Sequence, residues 1–157
     1  MTELYLLRHA HAGDRSTYDG LDATRPLSEK GERQSNRLGT FLASVGFVPD
    51  AIISSPKVRA YRTAELVALH LGLPVGIDPR LGEALEPEDL DAILTEAGDP
   101  ARPVLVGHDP DFSELAALLS GGSHLPMRKG AMLRIDIDRP LRAGVGTLRW
   151  LLPPDLL

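Results

Sequence analysis

Short apolar runs that read as buried strands alternate along this chain with apolar stripes at helical spacing, and this alternation constrains the fold more than any other feature. Leu4, Tyr5, Leu6 and Leu7 form the first run, dense enough for a strand covered on both faces. A polar loop over 10–26 follows. Leu38, Phe41, Leu42 and Val45 then mark a helix over 28–45 that Gly46 stops. Ala51, Ile52 and Ile53 predict a second strand ending at Ser54-Ser55-Pro56, where Ser55 can cap a helix and Pro56 can take its first position. That helix carries Ala60, Ala64, Val67 and Leu71 and stops at Gly72. Residues 75–77 predict a third strand, Pro87 opens a helix with Leu90, Ile93 and Leu94, and residues 104–106 predict a fourth strand. Asp109 and Pro110 repeat the cap-then-proline start for a helix with Leu115, Leu118 and Leu119.

Such alternation implies parallel strands with covering helices. The C-terminal pattern differs: Leu133, Ile135 and Ile137 alternate with Arg134, Asp136 and Asp138, and Leu148, Trp150 and Leu152 share a face. This suits antiparallel strands with one wetter face, added at an edge of the parallel sheet. The expected architecture is a single three-layer α/β/α domain over 1–157, with a mostly parallel central sheet and antiparallel edge strands. A chain of 157 residues is too short for a (β/α)₈ barrel, which typically needs about 250. No repeat, low-complexity tract or Ser/Gly linker marks a boundary.

The absence of cysteine removes disulfides, thiolate metal sites and cysteine nucleophiles, and fits a reducing compartment. Seventeen Lys and Arg against twenty-two Asp and Glu leave a net charge of −5, a poor balance for non-specific nucleic-acid binding. No run reaches the length of a membrane span, so the expectation is a cytoplasmic protein with neither nucleic-acid nor membrane partners.

Ligands of open α/β sheets bind outside the carboxyl ends of the strands. Three polar clusters fall there: Arg8-His9-Ala10-His11 after strand one, Ser54-Ser55-Pro56 with Arg59 one turn later, and Gly107-His108-Asp109-Pro110 after strand four. Arginine offers a planar fork of donors to phosphate, and histidine serves as nucleophile, base or clamp according to its proton. Each cluster alone has an ordinary reading as a surface pair, a solvated helix residue or a loop histidine. Their joint placement points to a phosphoryl group. His70 reads as packing or surface, and His124 as part of a Gly121-Gly122-Ser123 turn. His9 and His11, two apart, are the metal candidate, but no carboxylate-histidine set completes a coordination sphere.

Leu6-Leu7-Arg8-His9-Ala10, then Asp22-Ala23-Thr24-Arg25-Pro26-Leu27-Ser28 with Gly31, then Ser54-Ser55-Pro56-Lys57-Val58-Arg59-Ala60 with Thr63-Ala64, then Val106-Gly107-His108-Asp109-Pro110 occur in that order. Together they resemble the histidine phosphatase superfamily (phosphoglycerate mutase-like), and within it the small SixA-type phosphohistidine phosphatases. Ala10 stands where many members carry glycine, a change the SixA-like branch commonly accepts.

The resemblance implies that His9 attacks phosphorus in line, forms a phosphohistidine and is regenerated by water, with no metal or cofactor. It implies that Arg8, Arg59 and His108 surround the phosphoryl oxygens, their positive charge helping to keep His9 unprotonated. Glu83 is the nearest match to the acid of ester-cleaving members, with Glu86 and Glu88 close enough to be confused with it. The short segment between Asp78 and Val104 leaves little chain to roof the site, which favours a phosphohistidine side chain of another protein as substrate. The loop from His11 to Arg25, with Asp14, Arg15, Tyr18, Asp19 and Asp22, forms the expected rim. Three alternatives stand: a small phosphate ester or phosphoramidate as substrate, a non-catalytic phosphate-binding module, and a metal-dependent hydrolase built on His9 and His11.

Overall fold

The computed structural model covers Met1 to Leu157. The first apolar run becomes β1 (Thr2–Arg8), and the chain continues through α1 (Glu29–Ser44), β2 (Ala51–Ser54), α2 (Val58–Leu71) and β3 (Gly76–Ile77). It then forms α3 (Pro87–Glu96), β4 (Pro103–Gly107), α4 (Asp111–Ser120), β5 (Met132–Ile137) and β6 (Thr147–Leu152). The six strands form one sheet in the order β3-β2-β4-β1-β5-β6. The first four in that order are parallel; β5 runs antiparallel to β1, and β6 antiparallel to β5.

Alternate side chains of a strand point to opposite faces, and β1 shows why its sequence is apolar without interruption. Leu4 and Leu6 join Leu105, Leu133 and Ile135 in a core closed by α3 and α4. Tyr5 and Leu7 join Ile52, Val104 and Val106 in a second core closed by α1 and α2. The expected three layers are therefore present. No helix is long and apolar enough to cross a membrane.

Three local expectations are corrected. α2 starts at Val58 and α4 at Asp111, so Pro56 and Pro110 precede their helices, and neither Ser55 nor Asp109 is the N-cap. The Asp109 carboxylate does accept the Ser113 N–H at 3.1 Å, but the Ser55 hydroxyl is engaged elsewhere. The buried face of α1 is Gly31, Ser35, Leu38, Gly39 and Leu42, whereas Phe41 and Val45 of the anticipated stripe are exposed. Small residues on that face let α1 lie close to α2: a Cβ on Gly39 would meet the His70 ring at 2.5 Å. On β5, next to the edge strand, Asp136 is buried, not wet, because Arg134 and Arg149 donate to its two oxygens at 2.7 and 2.6 Å. Paired charges close the face that alternation alone would open to solvent.

The start of α1 carries a constraint that reaches the sheet. Ser28 caps the helix by accepting the Gly31 N–H at 3.1 Å, and its hydroxyl also lies 2.6 Å from His11 Nδ1. Gly31 packs so tightly on the segment after β1 that an added Cβ would stand 2.0 Å from the His11 carbonyl oxygen. Backbone atoms cannot yield as a flexible side chain does. Gly31→Ala is expected to cost at least about 1–3 kcal/mol, as overpacking does, lowering Tm by about 3–10 °C in thermal denaturation.

Candidate active site

β2, β4 and β1 are neighbours and run the same way, so their carboxyl ends lie side by side. From β1 the chain leaves toward α1 on one face, and from β4 toward α4 on the other, which opens a crevice between those strand ends. The ladders continue one step beyond the strands: His9 N–H donates to the Gly107 carbonyl at 3.0 Å, and Ser55 N–H to the Val106 carbonyl at 2.9 Å. Sheet hydrogen bonds thus place His9, Ser55 and His108. The His9 and His108 rings stand 5.2 Å apart between centroids. Arg59, buried in the first turn of α2, is tied to the same place through Thr63, whose hydroxyl donates to the Arg59 carbonyl at 2.8 Å and accepts the Ala10 N–H at 3.1 Å.

A cleft of about 480 Å³ sits over these strand ends, and one of its 14 lining residues is hydrophobic. Arg8, His9, Arg59, His108 and Glu83 all line it, so every sequence-derived candidate is brought together. Glu86 and Glu88 do not line it. Of the anticipated rim, Arg15, Asp22 and Arg25 face the cleft; Asp14, Tyr18 and Asp19 do not.

His9 Nδ1 lies 2.8 Å from the Ala10 carbonyl oxygen. A carbonyl only accepts, so Nδ1 carries the hydrogen and Nε2 the lone pair of the neutral ring. Burial, joined by the charges of Arg59, Arg8 and Lys129, holds the His9 pKa down to about 3 against the opposing pull of the Ala10 carbonyl. His108 is also lowered to about 3, by burial first and then by His9 and Arg59. Both rings are therefore neutral near pH 7. The permanent charges at the cleft come from arginine and lysine.

Asp22 organises two of these cations. Its carboxylate accepts from Arg59 Nη2 at 3.0 Å and Arg25 Nε at 3.1 Å, while its backbone carbonyl accepts from Arg59 Nη1 at 2.8 Å. Burial opposes its ionisation, but Arg25, Arg59 and Arg15 outweigh that and hold the carboxyl below its usual range. Arg8 is anchored by Nη1 to the Met127 carbonyl at 2.7 Å. Three buried side-chain nitrogens in the protein have no hydrogen-bond partner, and they are Arg8 Nε, Arg59 Nε and His108 Nδ1. Buried polar atoms are paired in nearly all folded proteins, and all three of these unpaired nitrogens belong to residues that line the cleft.

Two charged lining residues, Lys129 and Asp111, escaped the sequence reading. Lys129 arrives because Gly130 N–H donates to the Arg8 and His9 carbonyls at 3.2 and 2.9 Å, pinning its turn to the end of β1. Asp111 opens α4, and its carboxyl is raised by burial and by Glu114. Neither carries a sequence signal, since only tertiary contacts put them there. His11 turns to Ser28, His70 Nε2 lies 3.1 Å from Asn36 Oδ1, and His124 does not line the cleft. No three His, Asp or Glu side chains gather as a metal ion would require.

The family model of the histidine phosphatase superfamily (branch 1) matches residues 4–98, and the chain belongs to that superfamily. An uncharacterised protein of Picosynechococcus sp. is 36% identical over 140 residues, covering 83% of this chain and 82% of its own length. A probable phosphoglycerate mutase GpmB of Cronobacter sakazakii is 36% identical over 118 residues, 71% of this chain but 53% of that protein, so the chain spans about half of it. In fold the chain is similar to a solved structure of the protein histidine phosphatase SixA complexed with tungstate, with TM-score 0.85, 24% identity and 99% of each chain covered.

The two depressed histidines make stability depend on pH. Between the ordinary value of 6.5 and the folded value of about 3, the unfolded chain binds two protons that the folded protein does not. Their contribution to stability is present above pH 6.5 and is lost as pH falls toward 3. The slope from both is up to about 2.7 kcal/mol per pH unit. In urea titrations between pH 4 and 6, a His9→Asn variant should show a slope smaller by about 1.4 kcal/mol per unit.

Proposed function

We propose that this chain is a metal-independent phosphatase that hydrolyses protein phosphohistidine through a phosphohistidine intermediate on His9. The observation that carries this reading is the convergence of the three orphan donors, Arg8 Nε, Arg59 Nε and His108 Nδ1, beside a neutral imidazole whose Nε2 lone pair is free of the backbone. A phosphoryl group satisfies the donors through its non-bridging oxygens and presents phosphorus to Nε2.

In the first step the Nε2 lone pair forms a bond to phosphorus as the bond to the leaving nitrogen breaks, and the substrate imidazole departs neutral, either by taking a proton from water on that nitrogen or by already carrying one on its other ring nitrogen. In the second step water attacks phosphorus from the side the leaving group vacated, the P–Nε2 bond breaks, and inorganic phosphate and neutral His9 result. Arg8 and Arg59 balance the oxyanion charge through both steps, with the fixed His108 donor. Two charges already in place and a ring held neutral by burial keep the nucleophile available without a general base. The polar, open cleft and the SixA-like fold support a side chain presented by another protein as substrate.

Glu83 on the cleft wall favours a second reading, in which the substrate is a small phosphate ester or another phosphoramidate and this carboxyl protonates the leaving group. Phosphate release from a phosphohistidine-bearing protein and from an aryl phosphate separates the two. Turnover of the former should survive a chelator and vanish in His9→Ala. Arg59→Ala should lower kcat/KM by about 10²–10³, the scale of losing an oxyanion donor, and Glu83→Gln should change phosphohistidine turnover by no more than about twofold, within ordinary surface effects. Release from the ester alone would move the substrate to the second reading, and phosphate binding without any release would make the cleft a recognition module.

A further inference from the structure

Ser55 has no exposed surface, and its hydroxyl does not cap α2. Its Oγ lies 2.8 Å from His108 Nε2 and accepts the Lys57 N–H at 3.2 Å. The group is held from behind as well: a Cβ on Gly82 would stand 3.2 Å from this oxygen, and the Ser55 carbonyl accepts from Ser54 Oγ at 2.9 Å. A serine hydroxyl gives one hydrogen and takes two. With Lys57 N–H on the oxygen, the one other partner of Ser55 Oγ is His108 Nε2, which accepts when that nitrogen carries no hydrogen. A buried O–H left without an acceptor is costly, so its hydrogen goes to Nε2. The imidazole proton then belongs on Nδ1, the ring atom that is buried and has no partner in the protein.

We propose that Ser55 is a positioning residue that fixes His108 as the neutral Nδ1–H tautomer, so that the ring presents a donor to a phosphoryl oxygen. This deepens, and rests on, the phosphatase reading of the cleft. The opposite tautomer would set a lone pair against an oxyanion. The two histidines of the site thus carry the hydrogen on the same nitrogen but use it oppositely. In His9 the protein takes Nδ1–H through the Ala10 carbonyl and leaves a lone pair at Nε2. In His108 the protein fills the Nε2 lone pair and leaves an N–H. The groups acting on the His108 ring from its surroundings are His9 after β1, Arg59 and Lys57 at the start of α2, and Asp22 across the cleft. Three of those four oppose protonation of the ring, in keeping with a neutral donor.

Nitrogen-15 NMR of the imidazole groups in the resting full-length protein at pH 7 tests this directly. The expected result is a protonated Nδ1 and a bare Nε2 for His108, with Ser55→Ala shifting population to the Nε2–H form and Ser55→Thr retaining the wild-type pattern. On whichever phosphorylated substrate is turned over, Ser55→Ala should lower kcat by about tenfold, the order seen when a bond orienting a site imidazole is lost, and Ser55→Thr should restore most of it. A wild-type His108 found as imidazolium or as the Nε2–H tautomer overturns the proposal, as does an unchanged tautomer in Ser55→Ala. The wild-type spectrum decides the matter even where a variant fails to fold. Because it needs no substrate, absence of turnover would overturn the phosphatase reading while leaving the tautomer assignment to be judged on its own.

Discussion

The site depends on the pairing of β1 with β4. These two central strands share a parallel ladder from Tyr5 opposite Val104 to Arg8 opposite Gly107, and the His9 N–H extends it to the Gly107 carbonyl. That ladder sets two residues 99 positions apart in sequence, His9 and His108, side by side at one sheet edge. A parallel ladder is stable only when helices cover both faces, and the two cores do this. Packing far from the cleft is thereby converted into the position of two imidazoles.

From that frame the electrostatics follow. Burial keeps water from the rings, so each imidazole loses the solvation its cation would need, and both are held toward the neutral form beside permanent positive charge. Guanidinium groups tolerate the same environment because their protons are not given up at any pH a protein survives. The division of labour between histidine and arginine is thus set by what burial does to each. The two rings differ in the group behind each: an acceptor-only carbonyl beside His9 Nδ1, a serine hydroxyl beside His108 Nε2.

Much of this was legible in the sequence, for identifiable reasons. Strands covered on both faces read as unbroken apolar runs, and Arg8-His9, Arg59 and Gly107-His108 were found because strand ends are where an α/β sheet binds its ligand. The starts of α2 and α4 were misplaced because a serine or aspartate beside a proline has other uses than capping, and here Ser55 turns to a histidine 53 residues away. The burial of Asp136 was hidden because Arg149, which helps to close it, comes from the neighbouring strand. Lys129 was hidden because backbone bonds from a glycine, and not any side-chain pattern, deliver it.

Under the proposed function, the Asp22 carboxylate has a consequence for the end of the catalytic cycle. Two of the Arg59 nitrogens are already committed to this residue, one to its carboxylate and one to its carbonyl. A guanidinium so occupied is rigid, which favours quick capture of a correctly oriented oxyanion, yet its field is partly cancelled, which weakens its hold on any anion that stays. On that proposal, free phosphate would meet a cradle whose attraction is capped from within. An enzyme that must clear its product before the next encounter gains from such an internal competitor, and the loop before α1 supplies it.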